Sequence, residues 1–205
     1  MKVLVACEYS GTVRDAFIAL GHDAISCDLL PTDKAGPHYQ GDVFDIINDG
    51  WDIMIAHPPC TFLCNSGVSW LHKDPARKEK LKSGADFFSR LLQCCIPRIA
   101  IENPIMHGHA RRLIKVSPCQ IIQPWQFGHG ETKATCLWLK NLPRLKPTKI
   151  VEGRKQRLHL LPPSPDRWKI RSTTFSGIAS AMAEQWSKPY QSQLLLFDHS
   201  RSDES

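Results

Sequence analysis

Lys2-Val3-Leu4-Val5-Ala6-Cys7-Glu8-Tyr9-Ser10-Gly11 starts as a short apolar run and breaks into a polar turn; Val13, Ala16, Phe17 and Leu20 then recur at helical spacing. This predicts a strand, a tight turn and a helix. Gly21-His22 stops the helix, residues 23–27 form a second strand, and Asp28 falls at its carboxyl end. A loop leads to Gly41-Asp42-Val43, where a third unit begins. Residues 52–56 are a buried strand that runs straight into His57-Pro58-Pro59-Cys60. The longest helical pattern covers residues 74–95, with Pro75 in the first turn, where a missing N–H costs nothing. Residues 98–101 then form a strand that delivers Glu102-Asn103-Pro104. Two further strands at 119–124 and 132–139 and a last helix at 173–186 complete the pattern. Strands alternating with long helices imply right-handed crossovers, hence an α/β fold with a doubly wound, mostly parallel sheet. Ligands of such sheets bind at the carboxyl ends of the strands. Glu8, Asp28, Asp42, Cys60 and Glu102 all fall at predicted strand ends.

The 205 residues, 42% of them hydrophobic, suffice for one core but not for two full-sized domains. The expected organisation is a single domain over residues 1–190, with a basic, proline-rich insert at about 140–171 and a disordered tail at 191–205. There is no apolar run of roughly 18 residues and no signal-peptide pattern, so a cytoplasmic protein without membrane association is expected. The eight cysteines lie scattered in apolar segments, which suits free thiols in a reducing compartment. Although the net charge is only +6, residues 140–171 carry ten basic side chains against two acids. Such a stretch suits a nucleic-acid backbone, because each cation that neutralises a phosphate releases condensed counterions. A solvated basic loop is its plainer alternative. Arg154, Lys155 and Arg157 sit at its centre.

Three features carry chemistry. Gly11 after a strand, with Asp28 close to twenty residues on, suits a nucleotide-like ligand whose ribose hydroxyls meet the acid. The lack of a full glycine-rich phosphate loop favours S-adenosylmethionine, which has no pyrophosphate to cradle. Pro58-Pro59 stiffens the exit from a buried strand, so the Cys60 thiol would project from a rigid loop. A thiolate held this way can add to C6 of a pyrimidine and make C5 nucleophilic. Glu102 would stabilise the resulting charge at the ring edge. The plainer alternatives are an ordinary turn at Gly11, a buried structural cysteine at 60 and a helix cap at Glu102. Structural zinc among His57, Cys60, Cys64, His107 and His109 is disfavoured by the spacing, and no metal is expected.

In this order the pieces resemble the cytosine-C5 DNA methyltransferase family, a small member lacking the large target-recognition domain. The matching segments are Ala6-Cys7-Glu8-Tyr9-Ser10-Gly11, Asp28, Asp42, His57-Pro58-Pro59-Cys60, Glu102-Asn103-Pro104 and the closing stretch from Thr173 to Ala183. The resemblance implies a class I, Rossmann-like S-adenosylmethionine-dependent methyltransferase with Cys60 and Glu102 as catalytic residues. It implies cofactor contacts from Cys7, Glu8, Tyr9, Ser10, Gly11, Asp28, Asp42, Pro58, Thr174 and Ser176. Pro59, Asn103 and Lys133 would meet the substrate, joined by Arg154, Lys155 and Arg157 of the basic stretch. This chain departs from the family at Thr61, where Gln is usual, and in the family's Gln-x-Arg-x-Arg motif, where Lys133 is the sole cation. The implied partner is DNA, single-stranded DNA included, or else a free pyrimidine nucleotide, with a partner subunit as a further source of recognition. A catalytically silent nucleic-acid-binding protein on the same fold is the other alternative. An amino-methyltransferase is disfavoured, because Cys60 stands where that chemistry places an aromatic residue.

Overall fold

The computed structural model describes residues 1–65 and 68–188, so the expected disordered tail at 191–205 lies outside the described residues. Strands β1 (Lys2–Ala6), β2 (Asp23–Asp28), β3 (His38–Gln40), β4 (Ile53–Ala56), β5 (Arg98–Pro104), β6 (Gln120–Ile122) and β7 (Thr135–Lys140) form one sheet. Its order is β3-β2-β1-β4-β5-β7-β6. Neighbours among β1 to β5 pair in parallel, while β7 runs antiparallel to both β5 and β6. This is a doubly wound, Rossmann-like α/β architecture.

The apolar runs of β1 and β4 are buried throughout, as strands covered on both faces must be. Alternation along each strand divides the core in two. Val3, Val5, Ile53 and Ile55 face α1 (Thr12–Ile18) and α6 (Ser176–Trp186) through Val13, Phe17, Met182 and Trp186. Leu4, Met54, Ile99 and Ile101 face α3 (Pro75–Gln93) and α4 (Gly108–Ile114) through Leu81, Phe88, Leu91 and Ala110. Asp74 caps α3 by accepting the Ala76 N–H at 2.9 Å, and Pro75 occupies the first turn as predicted. The remaining helices are the short α2 (Val43–Ile46) and α5 (Arg167–Ser172).

Several sequence expectations need correction. The segment read as a loop after β2 contains β3, whose three residues have no apolar run; polar bonds hold it, among them His38 Nδ1 to Ser26 Oγ at 2.8 Å. Glu102 caps no helix, the plainer alternative for it: β5 extends to Pro104, Met106 bridges to Cys64, and α4 begins only at Gly108. The last helix begins at Ser176; Thr173 instead caps α5, which the basic stretch conceals. That stretch does not hang free. Leu142 and Leu145 are buried in the core, and Lys149 and Lys155 form isolated bridges with Phe127 and Glu131.

Arg14 escaped sequence reading, since a lone arginine on an amphipathic helix looks solvent-facing. It is fully buried, and its guanidinium donates to Ser26 Oγ, Thr32 Oγ1 and the carbonyl oxygens of Lys34, Ala35 and Pro37. The loop joining β2 to β3 is thereby satisfied internally. Gly11 (φ +68) and Gly36 (φ +147) lie against this guanidinium, which a Cβ at either position would strike. A tighter constraint lies at Gly177, where a Cβ would drive into the Phe127 carbonyl oxygen. Gly177→Ala is therefore expected to destabilise the fold by about 1–3 kcal/mol. Thermal melting should show a Tm lower by several degrees.

Candidate active site

Because β1, β2, β4 and β5 are parallel and β7 starts where β5 ends, one rim collects the predicted residues. At its centre His57 Nδ1 and Glu102 Oε2 stand 2.8 Å apart, both side chains largely buried. Burial pulls the His57 imidazole down, but the bond and charge of Glu102, with Glu8 farther off, outweigh it, and its pKa is raised. Burial pushes Glu102 up, yet His57 first, then Lys133 and Thr174, hold it below the usual carboxylate range. Each partner thus favours the charged form of the other. His57 Nε2 is buried with no hydrogen-bond partner among the described residues, as is Asn103 Oδ1. Sequence reading singled out Glu102 but missed this use of His57, whose only signal was its place immediately after β4.

Cys60 is half-buried at the start of a helical turn, its carbonyl accepting from the Leu63 and Cys64 N–H groups. Three contacts clamp the segment. Asn103 Nδ2 donates to the Pro58 carbonyl at 2.9 Å, His107 N donates to Leu63 O, and His107 Nε2 meets Phe62 O at 3.0 Å. His107 also caps α4, its Nδ1 accepting the Ala110 N–H at 3.1 Å. A hydrogen bond with Cys64, and burial after it, raise the Cys60 thiol; Lys133 opposes them weakly. The thiolate is the nucleophile, so this thiol must lose its proton before it attacks. Cys64→Ala should shift alkylation of Cys60 by iodoacetamide to lower pH and speed it severalfold near neutrality, which mass spectrometry of the modified peptide would read.

The expected cofactor residues divide. Asp28 is half-buried at the end of β2, with Oδ1 accepting the Leu30 N–H. Asp42 is exposed and caps α2. The charges of both act on Cys7, whose backbone is left-handed (φ 58), so these three groups converge where β1 ends. Glu8 is engaged in the turn after β1: its carboxylate accepts the Val13 and Arg14 N–H groups and the Ser10 hydroxyl, completing the start of α1. A cofactor contact by Glu8, expected from the sequence, would have to come in addition to these bonds within the turn. Gly11 likewise yields its open face to Arg14. Tyr9 packs on Trp168 and bonds Ser172 Oγ at 2.9 Å, tying α5 to the turn. Thr174 Oγ1 reaches Glu102 Oε2 at 3.5 Å, whereas Ser176 meets His129. Asp28, Asp42 and the unpartnered Asn103 Oδ1 offer acceptors of the kind that the ribose hydroxyls and exocyclic amine of S-adenosylmethionine would need.

Among the substrate candidates, Pro59 is exposed beside Cys60. Lys133 Nζ donates to the Arg171 carbonyl at 2.8 Å, and its charge acts on Cys60, His57 and Glu102. Arg154 stacks on Trp125 at 3.7 Å, Arg157 pairs with the buried Glu131 at 3.2 Å, and the Lys155 side chain is exposed. No group of three metal-ligating side chains occurs among the described residues. None of their helices is long and apolar enough to cross a membrane.

No protein-family profile and no curated protein matches this chain. Among solved structures it is similar to a candidate DNA modification methyltransferase encoded within an E. coli prophage. That likeness has 17% identity and a TM-score of 0.47 over 74% of this chain and 52% of that one. It is also similar to WbdD, with 13% identity and a TM-score of 0.41 over 69% of this chain and 35% of that one. The chain thus spans about half the length of the first, by the 52% covered.

Proposed function

We propose that the protein is an S-adenosylmethionine-dependent methyltransferase acting on C5 of a pyrimidine, cytosine in DNA, through a covalent bond between Cys60 and C6. The observation that carries this is the juxtaposition at one sheet rim of a clamped Pro-Pro-Cys60 turn with the buried Glu102–His57 pair. A rigid thiol supplies the addition, and a charged pair at the ring edge stabilises what the addition creates. When bound, S-adenosylmethionine supplies the electrophilic methyl group. Asp28, Asp42 and Asn103 would hold it, while Pro58 and Asn103 keep the Cys60 turn in place. Cys60 must first lose its proton, which makes transfer faster as pH rises. Calorimetry tests the cofactor assignment: binding of S-adenosylhomocysteine supports it, and no binding at millimolar concentration removes it.

Nucleic acid as the substrate rests on the basic stretch. Arg154, Lys155 and Arg157 would contact phosphates without reading bases, and a base in a duplex must leave its stack to reach Cys60. Single-stranded DNA should therefore react faster than duplex. Affinity for it should fall steeply with salt, and neutralising these three residues should flatten the log–log slope by about 2, at about 0.7 per phosphate for single strands. A second reading, C5 methylation of a free pyrimidine nucleotide, is favoured by the engagement of Arg154 with Trp125 and Arg157 with Glu131. A slope unchanged in the triple variant, with turnover of dCMP, would favour it.

A further inference from the structure

We infer that His57 meets the pyrimidine ring through Nε2, with Glu102 Oε2 positioning it from the other end of the imidazole. This rests on the C5 chemistry proposed above. Glu102 Oε2 is taken by His57 Nδ1 at 2.8 Å, with Thr174 on the same oxygen, so this oxygen is committed inside the protein. His57 Nε2, at the other end of the imidazole, has no hydrogen-bond partner among the described residues although it is buried. A buried polar atom left unpaired is costly, and such a cost persists where a ligand atom takes the bond. The base must part the rim side chains to reach it. Lys133 is the cation whose charge reaches Cys60, and its Nζ already donates to the Arg171 carbonyl. The charges facing His57 are Glu102 on β5, Glu8 after β1 and Lys133 before β7.

The step balances as follows. Cys60, as thiolate, forms the S–C6 bond; the C5–C6 π pair shifts towards N3, and N3 takes the proton from His57 Nε2. His57 is left neutral, still donating Nδ1–H to Glu102, and C5 is now nucleophilic. If C5 then takes a hydron from solvent and loses its original proton to solvent, reversal returns the N3 proton to His57 and expels Cys60. This sequence exchanges the C5 hydrogen without any methyl transfer.

The test measures exchange of the cytosine C5 hydrogen in a single-stranded oligonucleotide against pH. Addition needs protonated His57 together with ionised Cys60. The wild-type rate should therefore climb with pH and level off where His57 loses its proton. His57→Gln should be slower by about two to four orders of magnitude and should climb past that point without levelling. Glu102→Gln removes the charge that keeps the proton on His57, so the levelling should move to lower pH; this readout keeps His57 in place and does not depend on the fold of the His57 variant. An unmoved levelling in Glu102→Gln, or a wild-type profile in His57→Gln, overturns the assignment. Intact-mass detection of an adduct with a 5-fluorocytosine oligonucleotide separates the two levels. An adduct with unmoved profiles removes His57 alone, whereas neither adduct nor exchange in the wild type removes the C5 chemistry and this inference with it.

Discussion

Cys60→Ser is expected to abolish both methyl transfer and covalent capture of the base, by at least about four orders of magnitude, as losing a covalent nucleophile does. Binding of S-adenosylhomocysteine should persist. The serine hydroxyl ionises far less readily than a thiol and is a poorer nucleophile towards an aromatic carbon, whatever its position. The replacement is nearly isosteric and leaves the backbone bonds of the 60–64 turn in place, together with the Asn103 clamp on Pro58. A fall in activity at unchanged melting temperature would therefore report chemistry and not folding.

Glu102→Gln is expected to slow transfer by about two to four orders of magnitude at neutral pH. It should also make stability depend on pH in a defined window. The pKa of His57 is raised above its ordinary 6.5, so its contribution is complete below that value and fades as pH rises through the raised one. Glu102 is held below its ordinary 4.5, so its contribution is complete above that value and fades as pH falls through the lowered one. Between about pH 4.5 and 6.5 both terms are present, and there the variant should lose most stability relative to the wild type. His129, lowered by burial, accepts the Gly177 N–H and weakens the fold in both proteins as pH falls, so it cancels in the comparison.

Strands β1, β4 and β5 were legible because unbroken apolar runs such as Val3-Leu4-Val5-Ala6 have no other stable place than a sheet covered on both faces. Their strand-end residues followed, since a parallel sheet sends Asp28, Cys60 and Glu102 to one rim. Neither β3 nor α5 could be read: the one is three residues held by polar bonds, the other a single turn and a half docked through Tyr9 and Trp168. Pairing was the other blind spot. Nothing local tells that Glu8 closes α1, that Arg14 is buried, or that Glu102 is bonded to His57 45 positions away. Residue type announced the acids and the thiol, but the partners that fix their protonation come from tertiary packing.

The proposed covalent chemistry is tested most directly by intact-mass analysis after incubating the protein with S-adenosylmethionine and a single-stranded oligonucleotide carrying 5-fluorocytosine. Fluorine cannot leave C5 as a proton, so a C5 mechanism stalls with the base still attached. The expected result is a stable species at the summed mass of protein, oligonucleotide and one methyl group, mapped to Cys60 and absent from Cys60→Ser. Methylation of the ordinary cytosine oligonucleotide by Cys60→Ser, with no adduct in the wild type, would contradict it.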